Sequence, residues 1–281
     1  MKKRGSILLS VPGILLLTLF FIFPLAYIFY TGLFSPTFSF THFSKFFTFP
    51  VYTQVFWSTI ATAFIVGCAT IIIAYPAAYI ISKRSPSRRR QLLFLIMLPM
   101  WVSVLVRSFA WMILLGREGI VNELMQVLGI TSSPVQLLYS TMAVYVSMIQ
   151  ILLPYAILVT CTTMLRMDEN LEKAGRIMGA SAIQVFWKIY FPLTLEGAAG
   201  AFIIVFLLSL GFFITPALVG GPTDAMIANL VALQVENVDW GMASAVAIVL
   251  LVATLVMVAL FQLLVRRFVY SPNRGGPSFQ G

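Results

Sequence analysis

Charge is what this sequence has least of. Only 10% of its 281 residues are Asp, Glu, Lys or Arg, while 60% are hydrophobic. Soluble domains carry roughly 25% charged residues. Too little polar surface is available to clothe a water-soluble fold, so a lipid bilayer is the expected solvent. Acids are scarcest, nine against 18 basic residues, for a net charge of +9. In a soluble protein that excess would suggest nucleic acid. Here the basic residues sit in short clusters between apolar runs, and no nucleic-acid partner is expected. The two cysteines, Cys68 and Cys161, each lie inside an apolar run, and His42 is the single histidine. These exclude a disulfide framework and a zinc site. The scattered acids form no constellation for a membrane enzyme. There is no clear internal repeat and no linker long enough to split the chain, so residues 1–281 read as one transmembrane domain.

Long hydrophobic runs are abundant. A helix needs about 20 largely apolar residues to cross the hydrocarbon core. Six runs qualify, at 7–33, 55–82, 92–115, 136–164, 193–218 and 243–265. The first follows Met1-Lys2-Lys3-Arg4 but is too long for a signal peptide and shows no convincing small-residue cleavage site. It reads as a retained helix. With the N-terminus inside, fifteen of the 18 basic residues fall in cytoplasmic segments. Lys45 and Arg117 fall outside, and Arg107 lies within the third span. By the positive-inside rule both termini are cytoplasmic. The expected class is all-α, integral to the membrane, with six transmembrane helices.

The outer loops differ in character. Residues 34–54 hold seven phenylalanines, which suit either an interfacial segment or a docking surface. The loop at 219–242 is acidic and contains the turn Gly220-Gly221-Pro222. Ala74 with Ala78, and Gly197 with Ala201, are small-residue pairs four apart that let helices approach closely. Pro76, Pro99, Pro154 and Pro216 predict kinks or helix ends.

The stretch from Asp168 to Pro192 is too polar to span and too patterned to be a plain loop. Asp168 can cap a short helix, and Glu169 and Lys173 stand in the favourable i, i+4 order. Gly179 can stop that helix. Ser181 can cap a second one, with Gln184 as its capping-box partner. Ile183, Phe186, Trp187 and Tyr190 then share one apolar face, and Pro192 suits the first turn of span five. This face must bury itself against the protein's own helix ends, the lipid surface or a partner's groove.

The same stretch resembles the "EAA" coupling motif of inner-membrane subunits of binding-protein-dependent ABC importers. That motif runs Glu-Ala-Ala, three residues, Gly, nine residues, Ile, one residue, Leu-Pro. This chain reads Lys173-Ala174-Gly175, three residues, Gly179, nine residues, Ile189-Tyr190, Phe191-Pro192. The motif's glutamate is Lys173 here, and the neighbouring Glu172 points about 100° away on a helix. Six spans with this motif between the fourth and fifth extend the resemblance over nearly the whole chain. Leu98-Pro99-Met100-Trp101, Val106-Arg107-Ser108-Phe109-Ala110-Trp111, Leu218-Val219-Gly220-Gly221-Pro222 and Asp239-Trp240 are similar to the branch importing spermidine, putrescine and related solutes.

The resemblance implies a permease subunit of the bacterial inner membrane, forming half of a pathway with a second homologous permease. It implies an ATPase homodimer docked on the coupling segment. Glu172, Lys173, Ala174, Gly175, Gly179, Ser181, Phe186, Trp187, Ile189 and Pro192 are its candidate coupling residues. It also implies a periplasmic solute-binding protein at the outer loops. No Gly-x-x-x-x-Gly-Lys-[Ser/Thr] phosphate loop occurs, so ATP and Mg belong on the ATPase chain, and this chain is expected to carry no cofactor.

Arg107 is the one charge deep within a span. At mid-membrane it would cost about 2.5–3.5 kcal/mol on insertion scales, so it should face protein or water. Ser103, Arg107 and Trp111 are spaced to share one helical face. Arg107 either pins helices through carbonyls or lines the pathway. Trp101, Trp111 and Tyr155 offer cation–π contacts to a cationic cargo. Ser103, Arg107 and Gln150 complete the pathway candidates, although polar residues such as Gln150 and Ser147 equally suit helix–helix contacts. A self-contained secondary transporter or channel is the alternative. It predicts more ionisable groups for ion coupling than Arg107 and Glu196.

Overall fold

A computed structural model of the chain describes residues 12–13, 15–34 and 37–269. The first basic cluster, Arg274 of the last one and the start of the expected first span lie outside the described residues. The described chain is helical, apart from one isolated antiparallel bridge between Phe34 and Phe38. The helices are α1 (Leu15–Leu33), α2 (Thr41–Thr48), α3 (Pro50–Ser82), α4 (Pro86–Met97), α5 (Val104–Leu115), α6 (Ile120–Val127), α7 (Thr141–Leu165), α8 (Glu169–Ile177), α9 (Ala182–Leu210), α10 (Ile214–Val219), α11 (Ile227–Glu236) and α12 (Trp240–Val269).

Five of these, α1, α3, α7, α9 and α12, are long and apolar enough to cross a bilayer. The uninterrupted third span expected at 92–115 is corrected. After α4 the chain tightens into a 3-10 turn over Leu98–Trp101, and the next helices leave at 91°. Pro99 lacks the N–H that would continue an α-helix. Val102 is extended, and the Ser103 hydroxyl accepts from Leu105 N at 3.3 Å to start α5 afresh. Counted as one broken span, this pair brings the total to six.

Both ends of the fifth span move. The fifth span was expected to begin at 193 after a separate cytoplasmic helix, but α9 runs unbroken from Ala182. A π-helical turn over Phe186–Tyr190 carries one into the other. This helix ends at Leu210, with Gly211 beyond it, and α10 stands apart. Pro76 and Pro154 both sit inside continuous helices.

The described chain divides into two compact units. The first holds the residues up to Phe56 together with 227–253. Thr31 and Ser244 hydroxyls are 2.7 Å apart. A Cβ on Gly32 would come within 2.9 Å of Ile248 Cδ1, so α1 and α12 meet at small residues. The Phe-rich segment forms a chain of ring contacts from Tyr30 through Phe34, Phe38 and Phe40 to Phe43. One member, Phe46, is buried with Ile227, Met242 and Val246, whereas Phe38, Phe40, Phe47 and Phe49 stay exposed. Asp239 caps α12 by accepting from Met242 N at 2.9 Å. The apolar α11 occupies the stretch expected to be loop.

The second unit holds residues 57–226 and those from 254 onward. Its core is built on α7 and α9, with Met148, Leu152, Ala156 and Cys161 facing Ala201 and Val205. Ala74 and Ala78 of α3 are fully buried in the same core. Gly197 lies against Thr163, and Gly67 against the Phe202 ring. Buried Asn122 holds the stretch between α5 and α7 together. Its amide nitrogen donates to the carbonyls of Gly116 and Val135, and its oxygen accepts from Val135 N at 2.9 Å. Asp224 accepts from Thr141 Oγ1 at 2.6 Å and Gly221 N at 2.7 Å, which fixes the Gly220-Gly221-Pro222 turn at the start of α7.

Candidate functional site

Local capping builds the 168–192 segment. The Asp168 carboxylate accepts from Asn170 N at 2.9 Å and opens α8. Gly179 has φ +84°, a conformation side-chain-bearing residues avoid. Gly179 N donates to Arg176 O and Ala180 N to Gly175 O, the paired bonds of a Schellman ending. Ser181 and Gln184 then exchange both bonds of a capping box to open α9.

Packing sorts the coupling candidates into two sets. Gly175 is buried, and a Cβ there would lie 2.7 Å from Ile189 Cδ1 and 3.3 Å from Val185 Cγ2. That close approach seats α8 on the first turns of α9. Glu172 points inward too, taking a hydrogen bond and ion pair from Lys83 at the end of α3. Lys83 Nζ also stands 4.8 Å from the Tyr190 ring centroid and 5.8 Å from that of Tyr79. Lys173, Ala174 and Ser181 remain exposed.

The single apolar face expected from Ile183, Phe186, Trp187 and Tyr190 is divided. The π turn changes the angular spacing, because an i→i+5 ladder holds more residues per turn than an α-helix. Phe186 and Tyr190 turn inward and stack on one another, with Tyr79 edge-on to both. Ile183 and Trp187 stay outside, Trp187 58% exposed. At the end of α8, Ile177 and the following Met178 are 86% and 87% exposed. An apolar outer face therefore exists, but α8 and α9 contribute to it jointly. Pro192 lies inside the continuous α9, immediately after the π turn, and its missing N–H removes one bond from the helical ladder there.

The pathway candidates converge on the junction of α5, α7 and α10. Arg107 is only 8% exposed, and its Nη1 donates to Ile151 O at 3.4 Å. Pro154 deprives the neighbouring Gln150 carbonyl of its helical donor, so this part of α7 is short of N–H partners. Trp111 Nε1 donates to Gln150 Oε1 at 3.2 Å. Ser108 and Thr215 hydroxyls are 2.8 Å apart, tying α5 to α10. Tyr155 packs half-buried against the core. Trp101 and Ser103 do not join this group: Trp101 is exposed on the 3-10 turn, and Ser103 caps α5. Ser147 bonds back to its own helix through the Ala143 carbonyl at 2.6 Å.

Sequence reasoning missed Lys83, Thr215 and Asn122. Lys83 was legible only as a topology charge. Its position immediately after an apolar run that ends Tyr79-Ile80-Ile81-Ser82 was the available signal. A cleft of about 500 Å³ opens between the end of α7 and α9, lined by Arg166, Asp168 and Glu196 among others.

Several apolar helices of spanning length, with a capped segment that presents an exposed apolar face, define a multi-pass membrane protein. Over residues 70–270 the chain matches the binding-protein-dependent transport system inner membrane component family, and it belongs to that family. It is 31% identical over 242 residues to the spermidine/putrescine transport system permease protein PotB of Haemophilus influenzae, covering 85% of this chain and 80% of that protein. PotB of Escherichia coli strain K12 is 30% identical over 213 residues, 75% of this chain and 78% of that protein. The fold is shared with a chain of a bacterial alginate ABC transporter crystallised with its alginate pentasaccharide-bound periplasmic protein. The TM-score is 0.78 at 19% identity, covering 95% of this chain and 96% of the other.

Proposed function

We propose that this chain forms half of the pathway of an ATP-driven importer for spermidine, putrescine or a related polyamine. The carrying observation is its 31% identity to a spermidine/putrescine permease along 85% of its length. In this reading α4 to α6 count as one broken span, giving six, with both termini cytoplasmic as the basic residues direct. A second homologous permease completes the pathway, and a periplasmic binding protein delivers solute. An ATPase homodimer, carrying ATP and Mg, grips the outer face of α8 and α9 through Ile177, Met178, Ile183 and Trp187. Closure of that dimer rocks the spanning helices between inward and outward states.

The polyamine is a cation, and the polar layer at Arg107 is cationic. Selection of cargo therefore rests largely on the binding protein and on the ring faces of Trp111 and Tyr155. The test is to express the chain from its native operon with a tag and identify what co-purifies. The recovered complex is then reconstituted with its binding protein, and labelled spermidine uptake is measured. An ATPase and a second permease in the eluate, with ATP-dependent uptake, are the expected result. A chain that elutes alone and still moves solute sinks the proposal.

Arg107 lines or borders the pathway in this reading. Arg107→Gln is expected to leave the complex assembled while uptake changes. Unchanged uptake in an assembled complex assigns Arg107 to holding α5 on α7 alone.

A further inference from the structure

We propose that the Lys83–Glu172 pair is the contact through which movement of the ATPase-docking helix α8 is passed to the spanning helix α3. The proposal rests on the docking reading above. Helix α8 has two inward attachments of different kinds. Gly175 packs on Ile189 and Val185, an apolar contact that fastens α8 to α9, which follows it in the chain. Glu172 reaches across to Lys83, 89 residues away in sequence, at the end of α3. The first attachment is local and holds the docking unit together. The second joins that unit to a different spanning helix.

The surroundings make this more than a surface pair. The Glu172 side chain is only 14% exposed and that of Lys83 37%. The rings of Tyr190 and Tyr79 flank the ammonium group, and Tyr190 OH meets Ser82 Oγ at 3.3 Å. Tyr190 is itself on the π turn of α9. One ammonium group thus touches the elements that must move together: α3 through its own backbone, α8 through the carboxylate, α9 through the ring. Partial removal from water strengthens such a pair relative to a freely solvated one. Beneath it lies a cavity of about 130 Å³, which Arg89 of α4 also lines. A Glu172 carboxylate displaced from Lys83 would meet a second cation in the same enclosure, the alternative partner that a two-state contact requires. Coupling between sites needs such an element. The pairing engages the Glu172 charge inside the chain, while Lys173 is exposed beside it.

The test uses the complete complex with its ATPase in proteoliposomes. ATP hydrolysed and labelled spermidine taken up are measured together. Lys83→Gln and Glu172→Gln are each expected to retain the ATPase on the complex while lowering solute moved per ATP by ~fivefold or more, the lower range of allosteric coupling. The charge-exchanged double variant, Lys83→Glu with Glu172→Lys, is expected to recover most of that ratio. Single variants with an unchanged ratio overturn the proposal, and so does an exchanged pair no better than the singles. Failure of the unsubstituted chain to hold an ATPase is a separate result that removes the docking reading instead.

Discussion

The double variant Ile183→Asp/Trp187→Asp is expected to leave the membrane domain folded and to strip it of its ATPase. Both side chains are exposed on the first turns of α9, so carboxylates there meet water in the isolated chain. Against an ATPase groove they would be desolvated and unpaired. A Trp anchor at an interface centre is commonly worth about 2 kcal/mol or more, so association should weaken by at least ~30-fold. Recovery of the ATPase with the tagged chain after gentle solubilisation measures this. The control is Phe186→Asp. Phe186 is half-buried against Tyr79 and Tyr190, so this change should lower yield and thermal stability of the chain itself. If the double variant retains a full complement of ATPase, the outer face of α8 and α9 is not the docking surface.

Gly197→Val is expected to be the most damaging single apolar substitution within α9. A Cβ at Gly197 would overlap the Thr163 side chain, including its Cγ2 at 2.7 Å. The overlap involves the Thr163 Cβ, which is attached directly to the α7 backbone. No rotamer change moves that atom, so α7 and α9 must separate. Overpacking of this kind costs about 1–3 kcal/mol even where the backbone can adjust. Gly200, one turn further on, has nothing within 4 Å of its would-be Cβ, and Gly200→Val should be tolerated. Thermal aggregation in detergent compares the two. Adding Thr163→Gly to Gly197→Val should destabilise less than the two single effects combined, because the clash is shared between them. Equal melting of the Gly197 and Gly200 variants would show that α7 and α9 are not in close contact at Thr163.

The two predictions draw on different kinds of information. The small-residue pair at Gly197 and Ala201 was visible in the chain, but the residue opposite it was not. A spacing of four identifies a face and leaves open what the face meets. The coupling segment shows the same division. Asp168, Gly179 and the Ser181–Gln184 box could be placed from the sequence because each acts on backbone groups within a few residues of itself. The facing of Phe186 and Tyr190 could not, because it depends on a π turn that shifts the helical register by one residue. Nothing in the run Phe186-Trp187-Lys188-Ile189-Tyr190 signals that shift, since the inserted residue is accommodated by packing against Tyr79 on α3.

The third apolar run illustrates the limit of hydropathy. Residues 92–115 are apolar enough to read as one span, yet the chain turns through 91° near Ser103. Hydropathy reports where a segment prefers to be and is blind to its direction. Pro99 indicated a disturbance, but the angle follows from where α5 finds partners, namely Ile151 and Gln150 on α7 and Thr215 on α10. Arg107 belongs to the same case. Its scarcity in a span announced a buried role, while only the fold supplied the Ile151 carbonyl.

By itself, the sequence determined the bilayer as solvent, the number of apolar runs, the caps of α8 and α9, and the spacing from Gly179 to Pro192 that carries the family resemblance. These follow from composition, period and local hydrogen bonding, which need no distant partner. Tertiary structure alone decided that Glu172 turns to Lys83, that the aromatic face divides, that the third run breaks and that Gly197 meets Thr163. Each of those depends on a neighbour far away in the chain, and contact across such distances is set by how helices pack, not by the residues that flank them.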